Sequence, residues 1–142
     1  MTSYSHLQDL LLNGLSEASA AKARNSLKKI VAEYKHRTET GESNEAIFRL
    51  GALAYGYLAS LEDTVSQRTK MRNLAAKACL SGLDFNPTSS TLAATYANTI
   101  VDWFYDPFVE SNVSIRSKLA RARKLCEHLL KTEQADELRL QL

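Results

Sequence analysis

Residues 43–61 read SNEAIFRLGALAYGYLASL, and this stretch decides the fold class of the 142-residue chain. Its apolar side chains recur every three or four positions, which is the period of an α-helix and not of a β-strand. Alanine and leucine, both strong helix formers, are common in it. Ser43 suits the N-cap position that precedes a helix. We therefore predict a helix that starts near residue 43 and runs to about residue 61.

The segments on both sides have the same period, and they are separated at residues that commonly end or begin helices. We predict further helices over about residues 4–13, 16–37, 64–80, 86–106, 112–131 and 134–142. Gly14 and Gly82 are expected to end helices. Thr64 is expected to begin one as the first residue of a capping box with Gln67. Asn86-Pro87 is expected to begin another, as an N-cap followed by a proline in the first turn.

The order of these helices predicts an all-α domain over residues 1–142, built as an array of antiparallel helical hairpins. The third and fourth helices resemble the fifth and sixth in outline, with a spacing of roughly 45 residues. Hairpins at that spacing stack into an array rather than a four-helix bundle with one central seam. The odd-numbered helices would share one concave side, which suits an extended peptide or another helix.

Composition and charge exclude several classes of function. The chain has 18 basic and 16 acidic residues, a net charge of +2, which predicts neither a nucleic acid nor a membrane as partner. Its apolar runs fall short of the roughly 18 residues of a membrane-spanning helix, and no signal peptide opens it, so we expect a cytoplasmic protein. Cys79 and Cys126 are predicted to be core residues, and no histidine cluster suggests a metal. We expect no cofactor.

Acidic and aromatic residues give the remaining indications. Asp102 and Asp106 lie one turn apart, and without a catalytic partner we interpret them as a solvated helix face, so we predict no enzymatic activity. Tyr55 and Tyr57 lie about 200° apart around a helix, so only one of them can point into the core. Asn98 lies in the middle of a predicted helix, where asparagine is a poor helix former, and a position on the concave surface is one explanation.

Two segments resemble the 14-3-3 family. Residues 48–60, FRLGALAYGYLAS, are similar to the family's helix with a tyrosine-rich stretch and Tyr-Leu-Ala, here Tyr57-Leu58-Ala59. Residues 86–106, NPTSSTLAATYANTIVDWFYD, are similar to its helix with a Pro-Thr start, a mid-helix asparagine and an aromatic cluster. The order and spacing hold over about residues 20–132, as in a divergent, truncated member. Leu50-Gly51, Tyr55 and Pro87 also echo a tetratricopeptide-like array, the alternative for the fold, whose repeat of about 34 residues is shorter.

The resemblance implies a peptide-binding site on the third and fifth helices. Tyr57 matches the tyrosine that hydrogen-bonds the ligand's phosphate, Asn98 the asparagine that holds the ligand's backbone, and Val101 an apolar groove residue. The family has an arginine directly before that tyrosine, where this chain has Gly56. A phosphate without guanidinium donors loses charge-assisted hydrogen bonds. Arg49, two turns before Tyr57, is the candidate that would partly replace the missing arginine.

These observations lead to two hypotheses about function. The first is a non-catalytic, 14-3-3-like adaptor or scaffold that binds a protein or peptide partner, phosphorylated or not, through Tyr57, Asn98, Val101 and Arg49. The second is a structural or assembly protein that pairs with a partner or with itself as a homo-oligomer, through apolar helix faces left exposed at the edges. Leucines near both ends of the sequence motivate the second hypothesis: Leu10, Leu11, Leu12, Leu138, Leu140 and Leu142.

Overall fold

The computed structural model describes residues 3–16, 19–107, 109 and 116–128. These residues form α-helices and contain no strand, which confirms the all-α class. The helices are α1 (Tyr4–Ser16), α2 (Ala20–Glu39), α3 (Glu45–Leu61), α4 (Val65–Phe85) and α5 (Ser90–Phe104). Residues 116–128 are also helical and are called α6 here. The predicted seventh helix over 134–142 lies outside the described residues.

Helix α3 is the centre of the fold because it contacts α1, α2, α4 and α5. Its buried side chains, among them Ile47, Phe48 and Leu58, pack with Leu27 and Ile30 of α2 in one apolar cluster. A second cluster joins α4, α5 and α6 and includes Cys79, Tyr96, Ile100, Trp103 and Ala122. Both clusters follow the three-to-four-residue period of the sequence, which explains why these segments are helices.

Helices that follow one another in the sequence contact each other from α1 to α5, and two further contacts join α1 to α3 and α3 to α5. The backbones of α2 and α4 do not contact each other anywhere along their described lengths. The odd-numbered helices from α1 to α5 therefore form a connected row, with α3 between its neighbours. None of the described helices has the length and apolar character needed to cross a bilayer.

Two predicted helix ends are wrong, because neither glycine ends its helix. Helix α1 continues past Gly14 to Ser16, and α4 continues past Gly82 to Phe85. Gly82 is buried, and a Cβ atom there would lie 2.8 Å from side-chain atoms of both Leu92 and Phe48. The glycine thus allows α4 to approach α3 and α5 closely, a role that depends on residues distant in the sequence.

Side-chain caps explain where three helices begin. Thr64 caps α4 as predicted, since its Oγ1 accepts a hydrogen bond from the Gln67 amide at 3.2 Å. Helix α3 is capped by Asn44 rather than by Ser43, and α5 by Ser89, whose Oγ accepts from the Leu92 amide at 3.0 Å. Asn86 instead caps the end of α4, and its side-chain amide donates to the Ser43 carbonyl at 3.1 Å. The prediction that α5 begins at Asn86 is therefore wrong.

Candidate functional site

Two adjoining cavities between α3 and α5 form one groove, called the α3–α5 groove below. One cavity has a volume of about 130 Å³ and lies beside Arg49, Leu53 and Asn98. The other has a volume of about 400 Å³ and lies beside Ser60, Arg68 and Tyr105. The cavities are adjacent, since four residues line both of them: Gly56, Tyr57, Arg72 and Asp102.

Three of the four residues predicted from the sequence line this groove. Arg49 and Tyr57 come from α3, two turns apart, and Asn98 comes from the facing helix α5. All three side chains are exposed, and none has a hydrogen-bond or ion-pair partner within the described part of the chain. Polar groups in this state are available to a ligand.

One of the two tyrosines of α3 is buried and the other is exposed, as their spacing predicts. Tyr55 is buried, and its ring packs edge-on against Tyr34 with the ring centroids 6.1 Å apart. Burial raises the pKa of the Tyr55 hydroxyl above its ordinary value, which keeps it neutral. Tyr57 is 37% exposed and lies in the groove. It is therefore the tyrosine of this pair that can contact a ligand.

Val101, the fourth predicted residue, lies in a different place. It lines a second groove, between α5 and α6, together with Ala97, Leu119 and Cys126. Val101 and Asp102 lie three and four residues after Asn98, so each is about one helical turn away from it. Asp102 lines the α3–α5 groove, and Val101 does not. Which of the two residues faces the α3–α5 groove depends on how α6 packs against α5, and the period of a single helix does not predict that packing.

A buried ion-pair cluster at one end of the α3–α5 groove was missed in the sequence. Arg68 Nε donates to Asp106 Oδ2 at 2.7 Å, and Arg72 donates to the same oxygen from Nε at 3.2 Å and Nη2 at 3.1 Å. Asp106 is buried, so its assignment to a solvated helix face is wrong, whereas Asp102 is exposed as predicted. Helix α5 ends at Phe104, so the helical period no longer predicts the direction of the Asp106 side chain.

The same two arginines also donate to backbone carbonyls of α3. Arg68 Nη1 is 3.2 Å from the Ser60 carbonyl oxygen, and Arg72 Nη1 is 3.5 Å from that of Gly56. Their spacing of four residues on α4 places them on one helix face, which was the available signal, although it does not reveal the acidic partner.

The charges of the groove are close to balanced. Its described ionisable residues carry three positive charges, on Arg49, Arg68 and Arg72, and two negative ones, on Asp102 and Asp106, which leaves a net charge of +1. Because two guanidinium groups already bind Asp106, Arg49 is the cation of this groove without a partner in the described residues. No set of three His, Cys, Asp or Glu side chains in the described ranges is placed to hold a metal ion.

Comparison with known proteins adds no assignment to this geometry. No protein-family model matches the chain, and neither the curated proteins nor the solved structures contain a match to it. The resemblance to the 14-3-3 family stays a prediction.

Proposed function

We propose that this protein is a non-catalytic adaptor that binds an extended peptide segment of a partner protein in the α3–α5 groove. The observation that carries the proposal is the convergence of Arg49, Tyr57 and Asn98, from two helices, on one groove in which none of them has a described partner. The proposed scaffold is a 14-3-3-like array of helical hairpins. The contacts of α3 with both α1 and α5 support it.

Each of the three side chains supplies a different kind of contact. The Asn98 side-chain amide offers both a donor and an acceptor, the pair that a peptide bond of an extended chain can satisfy. The Tyr57 hydroxyl and the Arg49 guanidinium are donors for a negatively charged side chain. The 130 Å³ cavity between them has room for one side chain of the peptide.

The charge of the groove favours a carboxylate over a phosphate group as that side chain. A phosphate dianion needs several guanidinium donors, and those of Arg68 and Arg72 are occupied by Asp106. The exposed carboxylate of Asp102 in the same groove repels a dianion more strongly than a monoanion. The proposed ligand is therefore an extended peptide with an aspartate or glutamate side chain.

The test is titration of fluorescently labelled short peptides that carry aspartate, asparagine or phosphoserine at one central position, at two salt concentrations. We expect the aspartate peptides to bind most tightly and to weaken with added salt. Asn98→Ala and Tyr57→Phe should each reduce affinity about 5- to 10-fold, the effect of one lost hydrogen bond. Asn25→Ala, an exposed asparagine on α2, is the control. If both groove variants bind every peptide as the control does, the site is wrong.

Self-association is a second candidate function, and exposed apolar residues at the end of α5 favour it. Val101 is 40% exposed and Phe104 42%, in the last turn of α5, and Tyr105, which follows the helix, is 76% exposed. On α1, Leu12 is 61% exposed, whereas Leu11 is buried. Sedimentation of wild type and Phe104→Asp over a range of concentrations tests this candidate. A monomeric mass throughout would exclude it.

A further inference from the structure

A second groove lies between α5 and α6, and it is called the α5–α6 groove below. Its volume is about 760 Å³, and it shares no lining residue with the α3–α5 groove, so it is a separate surface. It follows α6 for about three helical turns, from Arg116 to Glu127. Its apolar wall combines side chains of both helices, namely Ala97, Val101, Leu119, Ala120, Ala122 and Cys126.

The apolar wall is built mainly from small side chains. Three of its residues are alanines, and Cys126 adds a fourth small side chain. Helix α6 packs closely on α5 here, since Ala122 is buried and Cys126 Sγ is 3.7 Å from the Ala93 carbonyl oxygen. Small residues in a helix surface leave grooves into which the larger side chains of another helix can pack.

Positive charge is concentrated on α6. Its residues 116–128 include five basic residues and one acidic residue, a net charge of +4, whereas the whole chain has a net charge of only +2. The Lys118 ammonium lies 4.3 Å from the centroid of the Trp103 ring, and its pKa is below the ordinary value because of burial and of the nearby charge of Lys77 on α4. The described residues around α6 therefore do not balance its positive charge.

The charged border of the α5–α6 groove belongs to α6 alone. It consists of Arg116, Arg123, Lys124 and Glu127. Arg123 Nε donates to Glu127 Oε1 at 3.0 Å, so these two charges compensate each other. Arg116 and Lys124 are exposed, and neither has a hydrogen-bond or ion-pair partner in the described part of the chain. An occupant of the groove therefore meets two cations that are available to carboxylates.

The lining of the groove suits a helix better than an extended peptide. The side chains of its apolar wall include no amide or hydroxyl group that could bind the backbone of a peptide. An extended segment would leave its backbone amides and carbonyls without partners against this wall, whereas a helix satisfies them internally. A nucleic acid fits less well than either, because its phosphates would use the basic border but not the apolar wall.

We propose that the α5–α6 groove binds an acidic amphipathic helix of a partner protein. Large apolar side chains at positions i, i+3, i+4 and i+7 of the partner helix pack on the apolar wall. Aspartate or glutamate side chains on the flank of the partner helix that faces α6 pair with Arg116 and Lys124. This site adds a second, independent partner to the one proposed for the α3–α5 groove.

The probe is a fluorescently labelled, alanine-based helical peptide of about 15 residues, the length at which isolated helices begin to be stable. It has leucines at positions i, i+3, i+4 and i+7 with glutamates beside them, and two matched peptides have glutamine or lysine at each glutamate position. Fluorescence anisotropy with the intact protein measures binding at two salt concentrations. We expect the glutamate peptide to bind about 5-fold more tightly than the glutamine peptide, and added salt to reduce the difference. No binding of the glutamate peptide, or equal binding of all three, would overturn the proposal.

Reversing the two unpaired charges should reverse the preference among the peptides. We expect Arg116→Glu/Lys124→Glu to bind the lysine peptide more tightly than the glutamate peptide, a gain that a folding defect does not produce. Arg121→Glu is the control, because Arg121 is exposed on the same helix and does not line the groove. A double variant without the new preference, or a control that acquires it, would contradict the proposal.

A second pair of variants changes the shape of the groove without changing its charge, and it decides the test if the double variant does not fold. Ala120→Tyr places a large side chain in the groove, and Ser117→Tyr places the same side chain at an exposed position of α6 that does not line it. We expect Ala120→Tyr to weaken binding of the glutamate peptide about 10-fold, as expected for loss of an apolar contact, and Ser117→Tyr to leave it unchanged. Equal affinities of the two variants would contradict the proposed site.

The oligomeric state separates a partner protein from a second copy of the chain as the occupant. We expect sedimentation to give the same mass for the wild type and Ala120→Tyr. A wild-type dimer that this substitution converts into monomers would overturn the proposal. Asn98→Ala should leave binding of the glutamate helix unchanged, and Ala120→Tyr should leave binding of extended aspartate peptides unchanged, so this inference and the proposed function can fail separately.

Discussion

Arg72 and Asp106 connect α4 to the segment that follows α5, although 34 positions separate them in the sequence. Two nitrogens of the Arg72 guanidinium, Nε at 3.2 Å and Nη2 at 3.1 Å, donate to Asp106 Oδ2. Both side chains are nearly inaccessible, with 8% of Arg72 and 1% of Asp106 exposed. This pair fixes one end of the α3–α5 groove, because Arg72 and Asp106 both line it.

Replacing Asp106 by asparagine should strongly destabilise the fold, because it leaves Arg72 buried without a counter-charge. Removing one partner of a buried ion pair costs about 3–5 kcal/mol. Asp102→Asn is the matched control, since Asp102 is exposed in the same groove, and it should change the free energy of unfolding by less than about 0.5 kcal/mol. Urea denaturation measures both values. Similar free energies of unfolding for the two variants would show that the ion pair of Asp106 contributes little to stability.

The two glycines of α3 that lie five residues apart should respond in opposite directions to alanine. A Cβ atom at Gly51 would lie 2.5 Å from Cδ2 of Tyr34, whose ring packs edge-on against Phe48 and Tyr55. Gly51→Ala should therefore destabilise the protein by about 1–3 kcal/mol through overpacking. A Cβ atom at Gly56 meets no atom within 4 Å.

Gly56→Ala should stabilise the protein by up to about 1 kcal/mol, the difference in helix propensity between the two residues. Thermal or chemical denaturation of the two variants beside the wild type tests both expectations. Destabilisation by Gly56→Ala would mean that the backbone at this position needs glycine for a reason other than space.

The helices were predictable from the sequence because their apolar period is local. Residues 43–61 predicted α3, which runs from Glu45 to Leu61, and the Tyr55–Tyr57 spacing showed that one tyrosine must leave the core. Helix ends were less predictable wherever a distant contact decides them. Gly82 resembles a helix stop, but it lies inside α4, where Phe48 and Leu92 approach so closely that they leave no room for a Cβ atom.

The candidate site was predictable only in part, for the same reason. The family resemblance and the sequence position of Asn98 and Tyr57 predict both as site residues, and the contact between α3 and α5 brings them into one groove. Asp106 pairs with arginines 34 and 38 positions earlier, and its burial depends on the end of α5, which hydropathy does not reveal. Sequence period gives the face of a helix but not which neighbouring helix covers that face.

Stability should decrease in alkaline solution because burial makes several side chains resist ionisation, and the effect is largest for Tyr34 and Cys79. Burial raises the pKa of Tyr34 from 10.0 to about 12 and that of the Cys79 thiol from 9.0 to about 12. Well below pH 9.0 both groups are protonated in the folded and unfolded states, so they contribute no pH dependence there. Between pH 9.0 and about 12 the unfolded chain loses protons that the folded chain keeps, so the free energy of unfolding falls as pH rises.

Denaturation with urea across this pH range tests the expectation. Tyr34→Phe removes one of these groups and should flatten the alkaline decrease by up to about 1.4 kcal/mol per pH unit. Tyr105→Phe, at a tyrosine that is 76% exposed, is the control and should leave the decrease unchanged. Identical profiles for the wild type and Tyr34→Phe would contradict the contribution of Tyr34.

An arginine at position 56 should convert the α3–α5 groove into a phosphate-binding site. The resemblance to the 14-3-3 family places an arginine directly before the tyrosine at position 57, and a Cβ atom at Gly56 would meet no atom within 4 Å. The new guanidinium would join Arg49 and Tyr57 in the groove, and bidentate arginine–phosphate hydrogen bonds are among the strongest in proteins. Gly56→Arg should therefore bind phosphoserine peptides about 10- to 100-fold more tightly than the wild type, a gain of about 1.4–2.8 kcal/mol. Gly56→Gln, which has a polar side chain without the charge, should not produce this gain. Fluorescence anisotropy with paired serine and phosphoserine peptides measures the difference, and an equal gain for both peptides would show that the arginine does not recognise the phosphate.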